Sequence, residues 1–523
     1  MQPQRTRWQP PVRGLVAVTV ALGVAELATG VLGARSLLAV VADRVIVTTP
    51  GPIVRFAIEN FGTANRTVLL TSILVVVAVV AVTLPRLRAR WAGADAAAFF
   101  GFAAVVGLAA VADPNISANI GVAAAVLAGA AGLAAFRTLE RRETVATPGA
   151  AAAGSAGGMQ VDGPLESPTD PPKPSRREFL TWAGGLTGGA VAAATAGTVL
   201  RNRIGAAAAP APSATPSTPP ATTNGGFAID GLSPLITPND EFYRIDTAFV
   251  PPRVDADSHV VRISGMVDQP FEISYAELLD RADVEADVHL ACVSNEIGGD
   301  LVGNARWTGV PLTELLDEAG VQAPVNQVVG RAVDGWTGGF PLDVVYDGRP
   351  ALVAVLMNGE PLPVAHGFPV RLVISGLYGY VSDTKWLEEI ELTTFDAYDA
   401  YWITRGWARE GPVKTHSRID VPRGGTQLTA GARVIAGVAW AGERGVDGVE
   451  VSIDGEPWRA ATRGEELART SWRQWRIDWN AEPGTHILRV RATDGDGEVQ
   501  TSETARPFPD GASGYHTVTV TVA

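Results

Sequence analysis

Residues 289–299 read HLACVSNEIGG and contain the only cysteine of this 523-residue chain, Cys292. A lone cysteine in a soluble domain is usually a buried small hydrophobe. In an oxidising compartment, however, an unpaired thiol is a liability, and a soft metal binds it as a thiolate. Both interpretations remain open on these residues alone. A single cysteine does exclude an intrachain disulfide and any multi-cysteine zinc or iron–sulfur site.

The composition around this stretch excludes several classes of protein. The chain carries 42 Lys+Arg against 55 Asp+Glu, a net charge of -13, which argues against a nucleic-acid-binding protein because such a protein needs a basic surface. The apolar excess lies in the N-terminal part, so we expect a membrane part followed by a soluble part. None of the 6 histidines precedes His259. We therefore expect no haem in the membrane part.

Four apolar stretches lie at residues 13–33, 67–84, 95–112 and 118–136, each near the roughly 20 residues that a membrane-spanning helix needs. Basic residues at their ends predict an orientation with the chain starting and returning in the cytoplasm. These residues are Arg5, Arg7 and Arg13 before the first span, Arg86, Arg88 and Arg90 after the second, and Arg137, Arg141 and Arg142 after the fourth. The semi-apolar segment 34–66 fits this orientation poorly, and we expect it to lie partly in the interface.

Two features of the membrane part suggest function. Residues 175–180 read SRREFL and precede an Ala/Gly/Thr-rich run, which resembles a twin-arginine export signal. The alternative is the basic flank of a fifth transmembrane helix, and both can hold. The internal position departs from the usual signal and leaves cleavage open. Glu26 lies within the first span, where interior packing is the favoured role and a proton or quinone contact is the alternative.

The remaining segments predict a mixed region followed by an all-β region. Residues 143–174 and 204–226 have the composition of linkers. We expect helices at 276–279 and 312–319, and strands at 259–263, 328–333 and 370–374. From about residue 416 apolar residues alternate, as in VEVSI (449–453) and TVTVTV (517–522). This pattern predicts an immunoglobulin-like sandwich without the disulfide.

Several blocks together resemble the sulfite oxidase family of molybdopterin-dependent oxidoreductases. They are FYRID (242–246), HLACVSNEIGG (289–299), GNARWTGVPL (303–312), MNGEPLP (357–363) leading into HGFPVR (366–371), and GVAW (437–440) with WRQW (472–475). The resemblance covers roughly 230–523. It implies an α+β molybdopterin domain at 227–413 and an all-β dimerisation domain at 414–523, after a four-helix transmembrane region at 1–142 and a signal-like fifth helix at 175–203.

The resemblance also implies roles for individual residues. Cys292 would bind molybdenum beside two pterin sulfurs, with one Mo per chain, and Arg244 and Arg473 would lie on the substrate side. The expected cofactor-binding residues are Phe242, Tyr243, Arg244, Asp246, Asn295, Asp334, His366, Arg371, Asp383, Thr384 and Lys385. Arginine and lysine suit a buried phosphate. Taken singly, Arg371 could form a structural salt bridge, Lys385 could be a surface charge, and His366 could be a structural histidine.

The sequence departs from the family on the substrate side. Sulfite-oxidising members place arginines after Cys-x-x-Asn, whereas here Asn295 is followed by Glu296 and Ile297, and Trp336 stands in the segment expected to supply a tyrosine. Sulfite is therefore one candidate, and a neutral S-oxide or N-oxide would tolerate Glu296 better.

The sequence as a whole predicts a multi-pass protein of the cell membrane with about five helices and an extracytoplasmic catalytic domain. A separate electron-transfer protein or a quinone would exchange electrons with it, and a homodimer could form through the C-terminal domain. Two alternatives remain: a protein-methionine-sulfoxide or other oxide reductase fed by a membrane quinol partner, and a cofactor-free binding or assembly module.

Overall fold

The computed structural model describes residues 9–61, 64–113, 116–144, 176–207 and 226–523. The chain divides into two compact units, one comprising Met1–Thr49 and Phe56–Ala208 and the other comprising Pro50–Arg55 and Ala209–Ala523. Most of both predicted linkers, together with Arg5, Arg7 and Ser175, lies outside the described residues. The predicted domain boundaries stay predictions.

The N-terminal unit is helical. Its helices are α1 (Gln9–Val31), α2 (Leu37–Thr48), α3 (Gly51–Phe61, which extends into the short segment assigned to the second unit), α4 (Asn65–Arg90), α5 (Ala94–Val111), α6 (Ala118–Thr144) and α7 (Arg176–Ala207). In the described residues 5 of them, α1, α4, α5, α6 and α7, are long and apolar enough to cross a membrane. Each predicted span lies largely within one of these helices. The semi-apolar segment forms the shorter helices α2 and α3.

Helices α1 and α7 approach closely. A Cβ on Gly30 would overlap the backbone of Gly197, so only glycine permits this contact. Arg201 Nη2 donates to Glu26 Oε2 at 2.8 Å and to Thr29 Oγ1 at 2.9 Å. Glu26 therefore pairs inside the bundle, as its packing interpretation predicts.

Three of the basic residues that flank the spans, Arg13, Arg88 and Arg137, lie at one end of this bundle. Asp95 is fully buried and pairs with Arg137 at 2.8 Å and with Arg88 at 3.4 Å. Arg13 lies 3.6 Å from Glu140. The start of α1, the end of α4 and the end of α6 consequently lie together.

The first part of the second unit contains one mixed sheet and one antiparallel sheet. The strands are β1 (Val260–Gly265), β2 (Phe271–Ser274), β3 (Val284–Ala291), β4 (Val302–Pro311), β5 (Gln327–Ala332), β6 (Thr337–Pro341), β7 (Ala351–Met357), β8 (Glu360–Pro361), β9 (Arg371–Ile374) and β10 (Leu387–Thr393). The mixed sheet, in which β1 and β10 are parallel, has the order β2-β1-β10-β5-β6, and the antiparallel sheet has the order β3-β4-β7-β8 with β9 paired to β7. The helices are α8 (Tyr275–Arg281), α9 (Leu312–Ala319), α10 (Asp343–Tyr346) and α11 (Gly379–Ser382).

Local sequence explains these elements. Ser274 caps α8 in a capping box with Glu277, which satisfies amide groups that the first turn leaves free. In α9 the residues Leu312, Leu315 and Leu316 are fully buried, because their spacing places them on one helix face. The helices and strands predicted in this region are confirmed.

The second part of this unit is all-β, as predicted. Its strands are β11 (His416–Val421), β12 (Gln427–Leu428), β13 (Gly431–Trp440), β14 (Val446–Ile453), β15 (Arg459–Ala460), β16 (Thr462–Arg463), β17 (Arg473–Ala481), β18 (Gly484–Asp494) and β19 (His516–Val522). They form sheets ordered β11-β13-β17-β16 and β12-β19-β18-β14-β15, which share a core that includes Trp475, Val451 and Val520. The immunoglobulin-like assignment stays a prediction.

Candidate active site

Cys292 follows β3 directly and begins a loop that returns to β4. Its amide donates to Leu301 O at 2.9 Å, and the Asn295 amide donates to Cys292 O at 2.9 Å. The Asn295 side chain closes the loop, since its Oδ1 accepts from Leu301 N at 2.9 Å. The residue Cys292 is only 8% exposed. Two backbone hydrogen bonds and one side-chain hydrogen bond therefore fix the backbone conformation that positions the thiol.

The surroundings of the thiol contain both signs of charge and two phenols. Burial raises the pKa of Cys292, while Lys385 opposes that shift and Asp383 adds to it. Burial raises the pKa of Tyr243 and also that of Tyr378, and both phenols interact electrostatically with the thiol. Tyr378 was not among the predicted site residues. Burial alone disfavours a thiolate here, so a bound cation would be needed to stabilise one.

A group of three cations, Arg244, Arg371 and Lys385, pairs with Asp246 and Asp383, and Lys385 interacts electrostatically with the thiol. The Asp246 carboxylate, whose side chain is 3% exposed, accepts from Arg244 Nε at 2.9 Å and from Lys385 Nζ at 3.0 Å. Arg371 is buried, donates to His366 O at 3.1 Å and lies 3.8 Å from the Asp383 carboxylate. Lys385, whose side chain is 11% exposed, is therefore a largely buried partner of the 245–246 segment and not the surface charge of the alternative interpretation.

Burial and the neighbouring charges change the pKa values of Lys385, His366 and Asp383. Burial lowers the pKa of Lys385 to about 8, and neighbouring Arg371 and Arg244 add to the fall. Burial, and then Arg371 and Lys385, lowers the pKa of His366 to about 4. Burial raises the pKa of Asp383 to about 6. At neutral pH His366 is uncharged, and the group keeps a positive potential that favours an anionic ligand.

Aromatic rings wall one side of the group. Phe242 stacks on Tyr243 with centroids 5.2 Å apart, and its ring meets Trp307 and His366 edge to face at 5.9 and 5.6 Å. Arg371 lies over the Trp307 ring at 4.7 Å. These contacts restrict the orientation of Arg371 and His366.

Two further predicted cofactor-binding residues, Asp334 and Thr384, lie next to the Lys385 segment or within it. Asp334 follows Val333, whose amide bonds Trp386 O at 2.9 Å, so its backbone lies beside the Lys385 segment. Thr384 is fully buried, and its side chain lies next to Gly330 of β5. Its role as a cofactor contact stays a prediction.

The partners of Arg473 lie within the β region. Arg473 donates to Gly464 O at 3.1 Å and pairs with Glu466. A β-region arginine that does contact the Cys292 loop is Arg418, which donates to Gly299 O at 2.7 Å. It was missed because no local pattern marks a contact between residues so distant in sequence. The substrate-side role of Arg473 stays a prediction.

The donor set fits a phosphate-bearing cofactor with a soft metal. Arg244, Arg371 and Lys385 supply charge-assisted hydrogen bonds of the kind a phosphate requires, and Cys292 supplies the soft ligand. In the described part of the chain, no group of 3 or more His, Cys, Asp or Glu side chains is placed to bind a metal. A metal beside Cys292 would therefore take further ligands from the cofactor.

Comparisons with known proteins agree with this donor set. Residues 248–402 match the family described as oxidoreductase molybdopterin binding domain. The chain is 32% identical over 169 residues to the uncharacterized oxidoreductase YuiH of Bacillus subtilis (strain 168), covering 32% of this chain and 81% of that protein.

More distant relatives share part of the chain. The mitochondrial sulfite oxidase of Homo sapiens is 28% identical over 302 residues, covering 49% of this chain and 55% of the relative. The chain thus spans about half the length of the mammalian sulfite oxidases it matches. The solved structure of the sulfane dehydrogenase SoxCD from Paracoccus pantotrophus aligns with a TM-score of 0.49 and 23% identity, covering 55% of this chain and 81% of that chain.

Proposed function

Because this chain belongs to the sulfite oxidase family of molybdenum-dependent oxidoreductases, we propose that it catalyses two-electron oxygen-atom transfer at the site around Cys292. The observation that carries the proposal is the sole thiol of the chain, buried directly after β3 and interacting electrostatically with Lys385, which itself pairs with Asp246 of a separate segment. When bound, a molybdenum cofactor supplies the redox chemistry.

The residues of the chain have distinct tasks in this proposal. Cys292 supplies the thiolate ligand. Arg244, Arg371 and Lys385 hold the cofactor phosphate. Neutral His366, with Nε2 3.0 Å from Asn239 O, is oriented by that contact and offers its ring to the pterin. The aromatic wall around Phe242 excludes water, which strengthens each of these interactions.

The test compares Cys292→Ser with Ser294→Ala in the full-length chain. Ser294 contacts the thiol through its backbone amide at 3.4 Å and also through its side chain, so alanine removes one hydrogen bond to the thiol but leaves the proposed ligand in place. We expect Cys292→Ser to lose oxygen-atom transfer while its thermal unfolding stays near that of the parent, and Ser294→Ala to keep activity. Normal activity in Cys292→Ser would refute the metal role. A parent chain with far less than one molybdenum, made in a cofactor-competent host, would support the binding-module alternative.

The substrate candidates differ in charge. Glu296 is exposed on the Cys292 loop, and Arg418 and Arg473 each pair with a carboxylate. This balance favours a neutral S-oxide or N-oxide over sulfite, since a dianion meets like charge at Glu296. Dye-coupled assays of sulfite oxidation and of methionine sulfoxide reduction separate the two. Glu296→Gln should improve the kcat/KM of sulfite relative to that of the neutral oxide, and an unchanged ratio would show that Glu296 does not face the substrate.

The other parts of the proposal concern partners. A separate electron-transfer protein or a membrane quinone exchanges electrons with the site, and residues 414–523 join two chains as a dimer. Light scattering of the detergent-solubilised protein with and without residues 414–523 tests the dimer: a mass of two chains only for the longer form is expected.

We also propose that the bundle end carrying Arg13, Arg88 and Arg137 faces the cytoplasm. The positive-inside rule supports this orientation, and the ion pair of Arg142 with Glu178 at 2.8 Å places the start of α7 at the same end. Helix α7 then crosses outward and leaves the catalytic part outside the cell.

The contacts between α1 and α7 favour α7 as a stable member of the helix bundle, and we propose that the chain stays uncut after α7, so that this helix anchors the catalytic part. The test places one tag at the N-terminus and another at the C-terminus of the chain. We expect both tags on a single band of full length, and we expect protease added to spheroplasts to digest the C-terminal part. A shortened C-terminal fragment would contradict retention of this helix.

A further inference from the structure

We infer that Arg418 of strand β11 is a positioning residue for the thiol loop, defined here as residues 292–301. The inference rests on the proposed function in one respect, namely that Cys292 is the ligand whose position matters. The other part of the inference is that contacts from the β region, residues 414–523, control the conformation of the thiol loop. This part rests only on the contacts described below.

Arg418 is held by three oxygen partners. Its Nη1 donates to Gly299 O at 2.7 Å, its Nη2 to Ser233 Oγ at 2.8 Å and its Nε to Asp420 Oδ1 at 2.6 Å. The side chains of Arg418 and Asp420 are 10% and 8% exposed. The carboxylate of Asp420 is itself held, since its Oδ2 accepts from Ser233 N at 3.1 Å. A planar guanidinium with three partners has little freedom.

The tip of the thiol loop lies against a second residue of the β region. Gly298 has φ 75°, and a Cβ there would overlap the imidazole ring of His516. His516 is fixed by its Nδ1, which accepts from Ile419 N at 3.0 Å. Arg418 and His516 therefore hold adjacent residues at the tip of the loop.

The tip is coupled to the thiol through Asn295. A Cβ on Gly299 would lie 2.5 Å from Asn295 Oδ1, so the backbone at Gly299 and the Asn295 side chain are in close contact. The Asn295 amide in turn donates to Cys292 O at 2.9 Å. A shift of Gly299 away from Arg418 would therefore displace Asn295 and open the turn that positions Cys292.

The test measures the reactivity of the thiol in the cofactor-free full-length protein. Because Cys292 is the only cysteine, total alkylation by iodoacetamide, read by mass spectrometry, reports this thiol alone. Losing the charge-assisted bonds of Arg418 in Arg418→Met should raise the alkylation rate by about 10-fold to 100-fold through local opening of the loop. Arg418→Lys keeps the charge beside Asp420 but not the planar fork, and should give an intermediate rate.

The matched control is Arg433→Met in the same β region. Arg433 is a surface arginine of β13 that donates to Thr429 O at 3.0 Å, and its loss should leave the alkylation rate unchanged. A purely structural role of Arg418 would raise alkylation only through global unfolding, so the rate would rise steeply with urea. Positioning predicts a rate that is nearly independent of low urea concentrations.

A second variant keeps the inference open to refutation if Arg418→Met does not fold. Gly298→Ala pushes the loop tip against His516 and should accelerate alkylation, and the further change His516→Ala should reverse part of that effect. A folded Arg418→Met with the parental rate would overturn the inference, and so would a Gly298→Ala variant with the parental rate. Alkylation of the molybdenum-loaded protein at the cofactor-free rate would instead refute the proposed function and leave the Arg418 result standing.

Discussion

The Asp246 carboxylate provides a quantitative test of the charge balance in the site. Asp246 is nearly buried and accepts hydrogen bonds from Arg244 and Lys385. Asp246→Asn keeps the shape but leaves Lys385 close to Arg244 and Arg371 without its counter-charge. Removing one partner of a buried pair costs about 3–5 kcal/mol. We expect the lower end, about 3 kcal/mol, because Arg244 is 37% exposed and water screens it.

The pH dependence makes this prediction specific. Burial already lowers the pKa of Lys385 to about 8 from 10.5, and losing Asp246 lowers it further. A folded-state pKa below the unfolded one means that the charged lysine destabilises the fold, and that this effect grows as the pH falls. The loss caused by Asp246→Asn should therefore be large at about pH 6 and shrink by about pH 9, where Lys385 is mostly neutral in both proteins.

The assay is thermal unfolding of the cofactor-free full-length protein at both pH values, followed by tryptophan fluorescence. A loss of about 3 kcal/mol corresponds to a Tm lower by about 5 °C for a unit of about 300 residues. The control is Asp399→Asn, which breaks an exposed pair with Arg409 (2.9 Å, side chains 46% and 44% exposed) and should lower stability by less than about 1 kcal/mol. Equal Tm losses for Asp246→Asn at both pH values would refute the reasoning.

Three further predictions use other parts of the chain. His416 is buried with a pKa lowered by burial from 6.5 to about 4, so acidification to about pH 5 should cost about 2 kcal/mol. His416→Gln, which keeps an N–H for Ala512 O, should flatten the dependence of Tm on pH; an unchanged slope would contradict this. Gly30→Leu should separate α1 from α7 at Gly197 and lower the yield of detergent-stable protein, and a normal yield would exclude the close contact. Ser274→Ala should destabilise the second unit by about 1 kcal/mol through loss of the α8 cap, and calorimetry showing no change would count against that cap.

Periodicity and length were sufficient to predict the helices of membrane-spanning length and some of the strands. The apolar stretches reach helix length, so α1, α4, α5, α6 and α7 follow from composition. Strand β19 alternates in burial as TVTVTV alternates in polarity. The segment 34–66 mixes apolar and charged residues, and its two short helices could not be predicted because their stability depends on neighbouring helices.

The family blocks supplied the candidate residues of the site, whereas their contacts were less predictable. The structure places Lys385 and Asp383 near Cys292 and packs Phe242 against His366 and Arg371 over Trp307. Arg473 and Arg418 look equivalent in sequence, since both lie in polar β-strand surroundings. Of the two, only Arg418 contacts the thiol loop, because β11 lies against that loop. The contact joins Arg418 to Gly299, which is 119 positions away in the sequence. Local pattern carries no information on such contacts.

The electrostatics of the site point to its ligand independently of the family. Arg244 and Lys385 pair with Asp246, and Arg371 lies near Asp383, so three cations share these two carboxylates, and burial raises the pKa of Asp383 to about 6. Buried charges without full pairing weaken a fold, so stability alone does not explain this group. His366 responds to the same field, since Arg371 and Lys385 help to lower its pKa. A ligand with a buried phosphate would raise the pKa of Lys385 and of His366 together. The same ligand should therefore increase the Tm of the parent more at about pH 6 than at about pH 9, and an equal increase at both pH values would show that the phosphate lies elsewhere.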